Sequence, residues 1–423
     1  MTSLQRHDTP APPCSPSAPR DGDSTQTSPG IEWSIGDRVT RLRQIGSSEL
    51  YPLPVPERSD KLPSARRAKA DDVTPVVPVE EEITLGSLET CQICIQDPKG
   101  RVSKRHARLY YSQDVWHILD LRSKNGLTVD GVKQLSARLS PGMVLGIGGV
   151  PLIAESARLM ELRCYLARVM GWGWNGDPAD RAVERALQTL RAAQVQREVI
   201  WLRGTEDTAQ VAQDLHRYLI GGQGPFITCD PKRKIDKGTA RRPGNEVDLE
   251  KAVNAARGGT LCVRACRLPE GFAALVESLR TSEDLPAQII VCDDDVHRER
   301  PEFLVHPLVI PPVSERPVKE RENVVREYFF DAMASLGVSA LPRPEDRAWV
   351  MAHSSGSLQD IAKGALRLLA LRVKGSFLAA ASALDMRHQS LIKWVTRRQA
   401  LPWLANDLSD EADDDTSGGE SAE

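Results

Sequence analysis

The sequence predicts a multidomain chain: an all-β sandwich, then an α/β core with a helical lid, then a small α-helical hairpin. Three observations predict it. Short apolar runs separated by Gly, Asn, Asp and Ser fill residues 78–157. Helical three- and four-residue apolar spacing then alternates with strand-like runs over 160–310. From 311 to 402 only helical spacing is left.

Taken in order, residues 1–77 are rich in Pro, Ser, Thr, Asp and Arg with few clustered apolar residues, the composition of a disordered leader. Thr9 and Thr25 within it are possible phosphorylation points. The runs Ile83–Leu85, Ile93–Ile95, Ala107–Tyr111, Trp116–Leu121, Val144–Ile147 and Pro151–Ala154 read as sandwich strands. Helices are expected over Met160–Met170, Ala179–Gln194, Ala209–Ile220 and Glu250–Ala256, with strands at Val199–Leu202, Thr260–Val263 and Gln288–Cys292, hence a mostly parallel covered sheet over 160–310. Val318–Leu336, Arg343–Ala352 and Leu358–Val373 make a helical subdomain, 311–372, and two shorter helices complete 373–402. Residues 403–423 read as an acidic disordered tail.

With 40% apolar and 27% charged residues the chain has an ordinary globular composition, and the net charge of −3 conceals a local asymmetry. Leu371–Ala400 carries Arg372, Lys374, Arg387, Lys393, Arg397 and Arg398 against the lone acid Asp385, whereas eight acids and no base follow from Ala405. A basic block beside an acidic tail suits a polyanion-binding module; a solvated helix face reads equally well from charge alone. No apolar run is long enough to span a bilayer and no signal-peptide pattern opens the chain, so a cytoplasmic protein with no membrane role is expected. Cys91-Gln-Ile-Cys94 has no second pair at zinc-site spacing and lies in a strand-like run, so no metal and no cofactor are expected.

Leu85-Gly86-Ser87, Val102-Ser103-Lys104-Arg105-His106-Ala107, Asp120-Leu121-Arg122-Ser123-Lys124-Asn125-Gly126 and Thr128-Val129-Asp130-Gly131 follow one another in the order and spacing of a known signature. The stretch resembles the forkhead-associated domain, a β-sandwich that reads phosphothreonine. The resemblance implies that Ser103 donates its hydroxyl to a phosphate oxygen, with Lys104 and Arg105 beside it, that Lys124 contacts the phosphate and that Asn125 holds the peptide backbone. Gly86, His106, Ser123 and Gly126 would be structural. Two departures stand out: Ser87 occupies the place of the family's arginine, removing a bidentate ligand, and Asp130 replaces the closing Asn. A sandwich that binds an unphosphorylated partner is the alternative.

Ile200-Trp-Leu-Arg-Gly204 running to His216, Gly224-Pro-Phe-Ile227, Ala256-Arg-Gly-Gly-Thr-Leu261 and Ser355-Gly-Ser-Leu-Gln-Asp-Ile361 resemble the AAA+ core of sigma-54-dependent enhancer-binding proteins. The chemistry of that family is missing. A phosphate loop needs glycines, a Lys and a Ser/Thr, but Thr-Glu-Asp-Thr-Ala follows Gly204. Cys262-Val263-Arg264-Ala265 stands where the magnesium-binding acids belong, Gln359 replaces the sensing arginine, and 227–250 holds nothing like the sigma-54-engaging loop. A pseudo-ATPase, not an enzyme, is expected, with no catalytic residues.

Gly375 to Val395 resembles a helix-turn-helix of the factor-for-inversion-stimulation type, with Ala379, Ala380 and Ala383 for close approach and Leu384, Met386, Leu391 and Val395 as core. Its second helix would present Arg387, His388, Gln389, Ser390, Lys393 and Arg397 to DNA, with Arg398 near phosphates. The sequence reading is thus a bacterial regulator coupling threonine phosphorylation to DNA without ATP hydrolysis. Its expected partners are a phosphothreonine protein or its own phosphorylated leader, a Ser/Thr kinase, DNA and a second copy of itself. The alternatives are a phosphopeptide-dependent adaptor without DNA binding and an active sigma-54 ATPase.

Overall fold

The computed structural model describes residues 38–47, 49–54, 82–171, 178–204, 208–222, 224–238, 243–279, 288–295, 307–339 and 341–398. The expected acidic tail, Thr9 and Thr25 lie outside them. No helix among them is long and apolar enough to cross a membrane.

The sandwich is larger than its apolar runs suggest. Strands β1 (Val39–Gln44) and β2 (Leu50–Pro52) come from the stretch read as a disordered leader. They are followed by β3 (Glu82–Gly86), β4 (Ile93–Cys94), β5 (Ala107–Ser112), β6 (Val115–Asp120), β7 (Leu127–Val129), β8 (Val132–Gln134), β9 (Ser136–Arg138), β10 (Val144–Ile147) and β11 (Val150–Ser156). One sheet runs β2-β1-β11-β10-β7-β8 and the other β4-β3-β5-β6-β9. Strict alternation along β5 (buried at Ala107, Leu109 and Tyr111) and β6 (Trp116 and Ile118) turns one face of each strand into the shared core. β1 escaped the sequence reading because charge hides it: Arg41 and Arg43 sit in a strand otherwise marked only by Val39 and Leu42.

Those arginines have a buried partner. The Glu155 carboxylate on β11 is fully buried; Arg43 Nε donates to its Oε1 at 2.6 Å and Arg41 Nε to its Oε2 at 2.7 Å. Arg43 Nη2 continues to Glu184 at 2.7 Å, which also accepts from Arg163 at 3.2 Å. An unpaired carboxylate could not remain charged there, so β1, pairing along β11, brings the arginines that match it.

β11 enters α1 (Ala157–Met170) without a spacer: Ser156 caps the helix, accepting from Leu159 N at 3.2 Å. Beyond α2 (Pro178–Val195) the chain runs β12 (Ile200–Arg203), α3 (Thr208–Leu219), β13 (Phe226–Cys229), β14 (Gly244–Glu246), α4 (Leu249–Ala255), β15 (Thr260–Arg264), α5 (Phe272–Ser278), β16 (Gln288–Asp293) and β17 (Pro307–Val309). The strands order β14-β13-β15-β16-β12-β17, paired in parallel throughout. Every residue of β16 is buried, as a central strand covered on both faces requires. Trp201, Leu261, Ile289 and Val291 pack with Ala252 of α4 and Phe272 of α5 on one face.

The opposite face belongs to a core that runs through α1, α2 and α3 into α6 (Val318–Leu336), α7 (Pro344–His353), α8 (Leu358–Lys374), α9 (Phe377–Ala383) and α10 (His388–Arg397). The helical subdomain and the terminal hairpin therefore share one core with the sheet. Buried Arg316 stitches it, donating to the carbonyls of Arg168 and Val169 at the α1 C-terminus, where cationic charge is favoured. α10 is held by Trp394, which packs on Trp349 with centroids 5.6 Å apart and under Arg367 and Arg398.

Removing one member of the Glu155 network leaves a buried charge uncompensated. Arg43→Ala is expected to destabilise the sandwich by about 3–5 kcal/mol, read as loss of amide-exchange protection along β1 and β11; unchanged protection would refute the network's role.

Candidate functional site

At one end of the sandwich three loops meet, and backbone geometry explains why. β3 ends at Gly86, where an added Cβ would lie 2.1 Å from the Lys104 carbonyl oxygen, so no larger residue fits. Ser87 N then donates to Ser103 O at 3.1 Å and Leu88 N to Lys104 O at 3.2 Å, joining the β3 end to the loop before β5. The Cys91 thiol also donates to Lys104 O, at 3.3 Å. Cys91 precedes β4 rather than lying in it, so the strand-like run is shorter than read from sequence.

His106 is the pin beneath these loops. It is fully buried. Its Nδ1 accepts from Ser103 N at 3.1 Å, which leaves the proton on Nε2, 3.1 Å from the Gly126 carbonyl to which it donates. One imidazole therefore spaces the Ser103 loop from the β6–β7 loop. The latter folds on itself: Ser123 Oγ donates to Asp120 Oδ1 at 2.6 Å and accepts from Gly126 N at 3.0 Å, and Gly126 takes a φ of +78°.

The two loops then lock directly. Lys124 N donates to Ser103 Oγ at 3.0 Å, and Asn125 Nδ2 donates to Arg101 O at 2.7 Å. Because Ser103 Oγ is used as an acceptor, its own proton is left to be given outward. Lys104, Arg105, Arg122 and Lys124 are exposed, and among the described residues none has an ion-pair partner. The structure thus brings together Ser87, Ser103, Lys104, Lys124 and Asn125, with Arg105 and Arg122 on the same loops. Asn125 already spends one amide proton on Arg101 O, so its second proton and its carbonyl remain for any peptide.

Sequence reasoning missed the clip that shapes the Ser103 loop. Asp97 accepts from Lys99 N and Arg101 N and from the Arg101 guanidinium at 3.1 Å. The Arg101 hydrogen bond holds its carboxyl down, at about 2. Asp97-Pro-Lys-Gly100 was a turn signal available in the sequence. Asp130 is at the sandwich's other end, in the β7–β8 turn with φ +49°. Its carboxylate accepts from Val144 N and takes both Nη atoms of Arg191 on α2, at 2.6 and 2.7 Å. An amide could not make that bidentate ion pair, which accounts for an acid at the closing Asn position.

A second region lies at the C-terminal edge of the parallel sheet. The connections reverse direction across β12, so the crevice beyond its end and the α3 N-terminus are where such sheets hold ligands. Among the described residues, side chains around this crevice pair with one another. An added Cβ on Gly204 would lie 3.0 Å from Ile310. Thr208 Oγ1 donates to Asp294, which also pairs with Arg264 at 3.7 Å, and Arg267 pairs with Asp230 at 2.8 Å. Gln359 Nε2 donates to Gln210 at 3.5 Å.

The third region is the terminal hairpin. Asp385 turns it with φ +49°. Arg387, Gln389, Ser390, Lys393 and Arg397 are exposed and His388 is half-buried. Arg398, expected near phosphates, is instead drawn back to Asp360 at 3.6 Å and over Trp394. Leu391 and Val395 are buried, Leu384 and Met386 only partly; Ala380 and Ala381 make the close contact, whereas Ala379 and Ala383 face outward.

Residues 83–148 match the family model of the FHA domain. Among solved structures the chain is similar to Mycobacterium tuberculosis EmbR in complex with a low-affinity phosphopeptide (21% identity over 28% of this chain and 24% of that one, TM-score 0.21). It is similar too to the FHA domain of the CT664 protein from Chlamydia trachomatis (29%, 17% and 74%, TM-score 0.16) and to that of an Arabidopsis thaliana hypothetical protein (20%, 29% and 92%, TM-score 0.20). No curated protein matches the chain. The family model and the Ser103–His106–Gly126 geometry agree: residues 83–148 of this chain are an FHA domain.

Proposed function

We propose that this chain is a phosphothreonine-reading transcriptional regulator, related to the sigma-54 enhancer-binding proteins but without ATPase activity, which couples a Ser/Thr kinase signal to DNA. The observation that carries the first step is the Ser103 hydroxyl, held as an acceptor by Lys124 N and so left to donate, amid four unpaired cations. A phosphate dianion needs just such donors and charge on rigid loops. Lys104, Arg105 and Lys124 would supply the charge that Ser87 cannot. The ligand is a phosphothreonine segment of a partner or of this chain's own leader.

The AAA+ reading is supported by the parallel sheet with its crevice at β12, and the loss of hydrolysis by what fills that crevice. Asp294 takes the Thr208 hydroxyl and the Arg264 guanidinium, groups that would otherwise face phosphates, and β15 itself ends in Arg264 rather than in an acid that could hold magnesium. The DNA reading is supported by α10, whose Arg387, Gln389, Ser390, Lys393 and Arg397 are exposed on a helix anchored from behind by Trp394. A second copy would present two such helices to two half-sites.

Four outcomes are expected. A phosphothreonine peptide library yields binders; Ser103→Ala weakens them tenfold or more, about 1.5–3 kcal/mol for a charge-assisted hydrogen bond, and dephosphorylated peptides do not bind. His106→Ala weakens the same peptides although it touches no ligand, because the two loops lose their common pin; equal binding of phosphorylated and unphosphorylated peptides refutes the reading. Titration with ATP and magnesium gives no binding heat, and an electrophoretic shift of genomic DNA fragments is lost in the Arg387→Ala/Lys393→Ala double variant.

A further inference from the structure

The loop after β13 carries a basic cluster that the proposed function does not use. Lys232, Arg233, Lys234 and Lys237 fall within six residues, all are exposed, and among the described residues none is in an ion pair. Arg241 and Arg242 follow in the sequence. The single acid among them, Asp236, is engaged inward: its Oδ1 accepts from Gly238 N at 3.0 Å, and its backbone bridges Asn245 in both directions, at 2.7 and 3.0 Å.

Such a run of like charges would ordinarily repel itself into disorder, and here it does not. Fully buried Asn245 is the clasp. Its side-chain amide reaches the carbonyls of Asp230, Arg233 and Lys234 at 3.4, 3.5 and 3.2 Å, and its Oδ1 accepts from Thr228 Oγ1 at 3.0 Å. Asp230 fixes the entry, accepting from Lys232 N at 3.0 Å and from Arg267 at 2.8 Å. A buried polar residue has thus been spent on fixing the backbone of an exposed cationic turn. A preorganised array of charge loses less on binding than a flexible one.

We propose that residues 232–237 are a sequence-independent contact for the phosphate backbone of duplex DNA, separate from α10. The chemistry favours a polyphosphate over a protein. The loop offers four clustered cationic side chains, no aromatic ring, and one exposed apolar side chain, Ile235. The assignment does not depend on α10 reading DNA.

The test uses the full chain and a fluorescent random-sequence duplex, with affinity measured against salt concentration. The Lys232→Ala/Arg233→Ala/Lys234→Ala variant keeps Asp230, Asp236 and Asn245, so the fold is retained, checked by thermal melting. Its slope of log K against log salt is expected to fall by about 3. The same fall in the Arg387→Ala/Lys393→Ala background shows that the contact stands apart from α10. If the α10 pair changes nothing while the loop variant still lowers the slope, the α10 reading fails and this one survives. Parental slope and affinity in the triple variant overturn the proposal. So does a parent that binds polyglutamate, or a peptide of residues 405–423, but no duplex.

Discussion

The Glu155 carboxylate is the constraint from which the arrangement of this chain follows. It is fully buried on the last sandwich strand, one residue before the serine that caps α1. A charge in that position has to be matched, and the match comes from far upstream, Arg41 and Arg43 of β1, while Arg43 also pairs with Glu184 of α2. The ion network therefore recruits a strand from far upstream into the sheet and ties the sheet to the helices downstream. Such networks stabilise little in net terms, but they discriminate strongly against any arrangement that breaks them.

That junction bears on how a signal received by the FHA domain can travel. Arg101 O, which accepts from Asn125 at the loop end, also abuts Gly148 in the β10–β11 turn. β11 then runs from that turn to the Ser156 cap. The turn that abuts Arg101 and the first helix of the following region are thus joined by one strand. The Asp130–Arg191 pair adds a second tie at the base. No flexible spacer intervenes among these described residues, so coupling by rigid packing is the natural mode.

The crevice at β12 is lined by side chains that pair with one another. The parallel sheet still builds the cleft, yet an aspartate accepts the contacts of Thr208 and Arg264, and Ile310 closes over Gly204. The core on that face continues through α6–α8 into α9 and α10, so the terminal helices are tied to the sheet through the intervening helices.

Much of this was legible in the sequence, because local period and short motifs report local structure. The apolar spacing of Val318–Leu336 coincides with α6, and the strand runs near Ile200, Thr260 and Gln288 appear within a residue of where they were read. Ser103, His106, Lys124 and Gly126 could be named because each of the two loop motifs that hold them is contiguous. What tertiary structure alone decided involves partners distant in sequence. β1 was unreadable since its arginines look like leader until Glu155, over 100 residues away, is placed beside them. Asp130 looked like a mild departure until Arg191 arrived, and Arg398 looked like a phosphate ligand until Asp360 and Trp394 took it. The FHA loops were written into the sequence by their turn chemistry; the charges that make the sandwich part of a larger body were settled only when folding paired them.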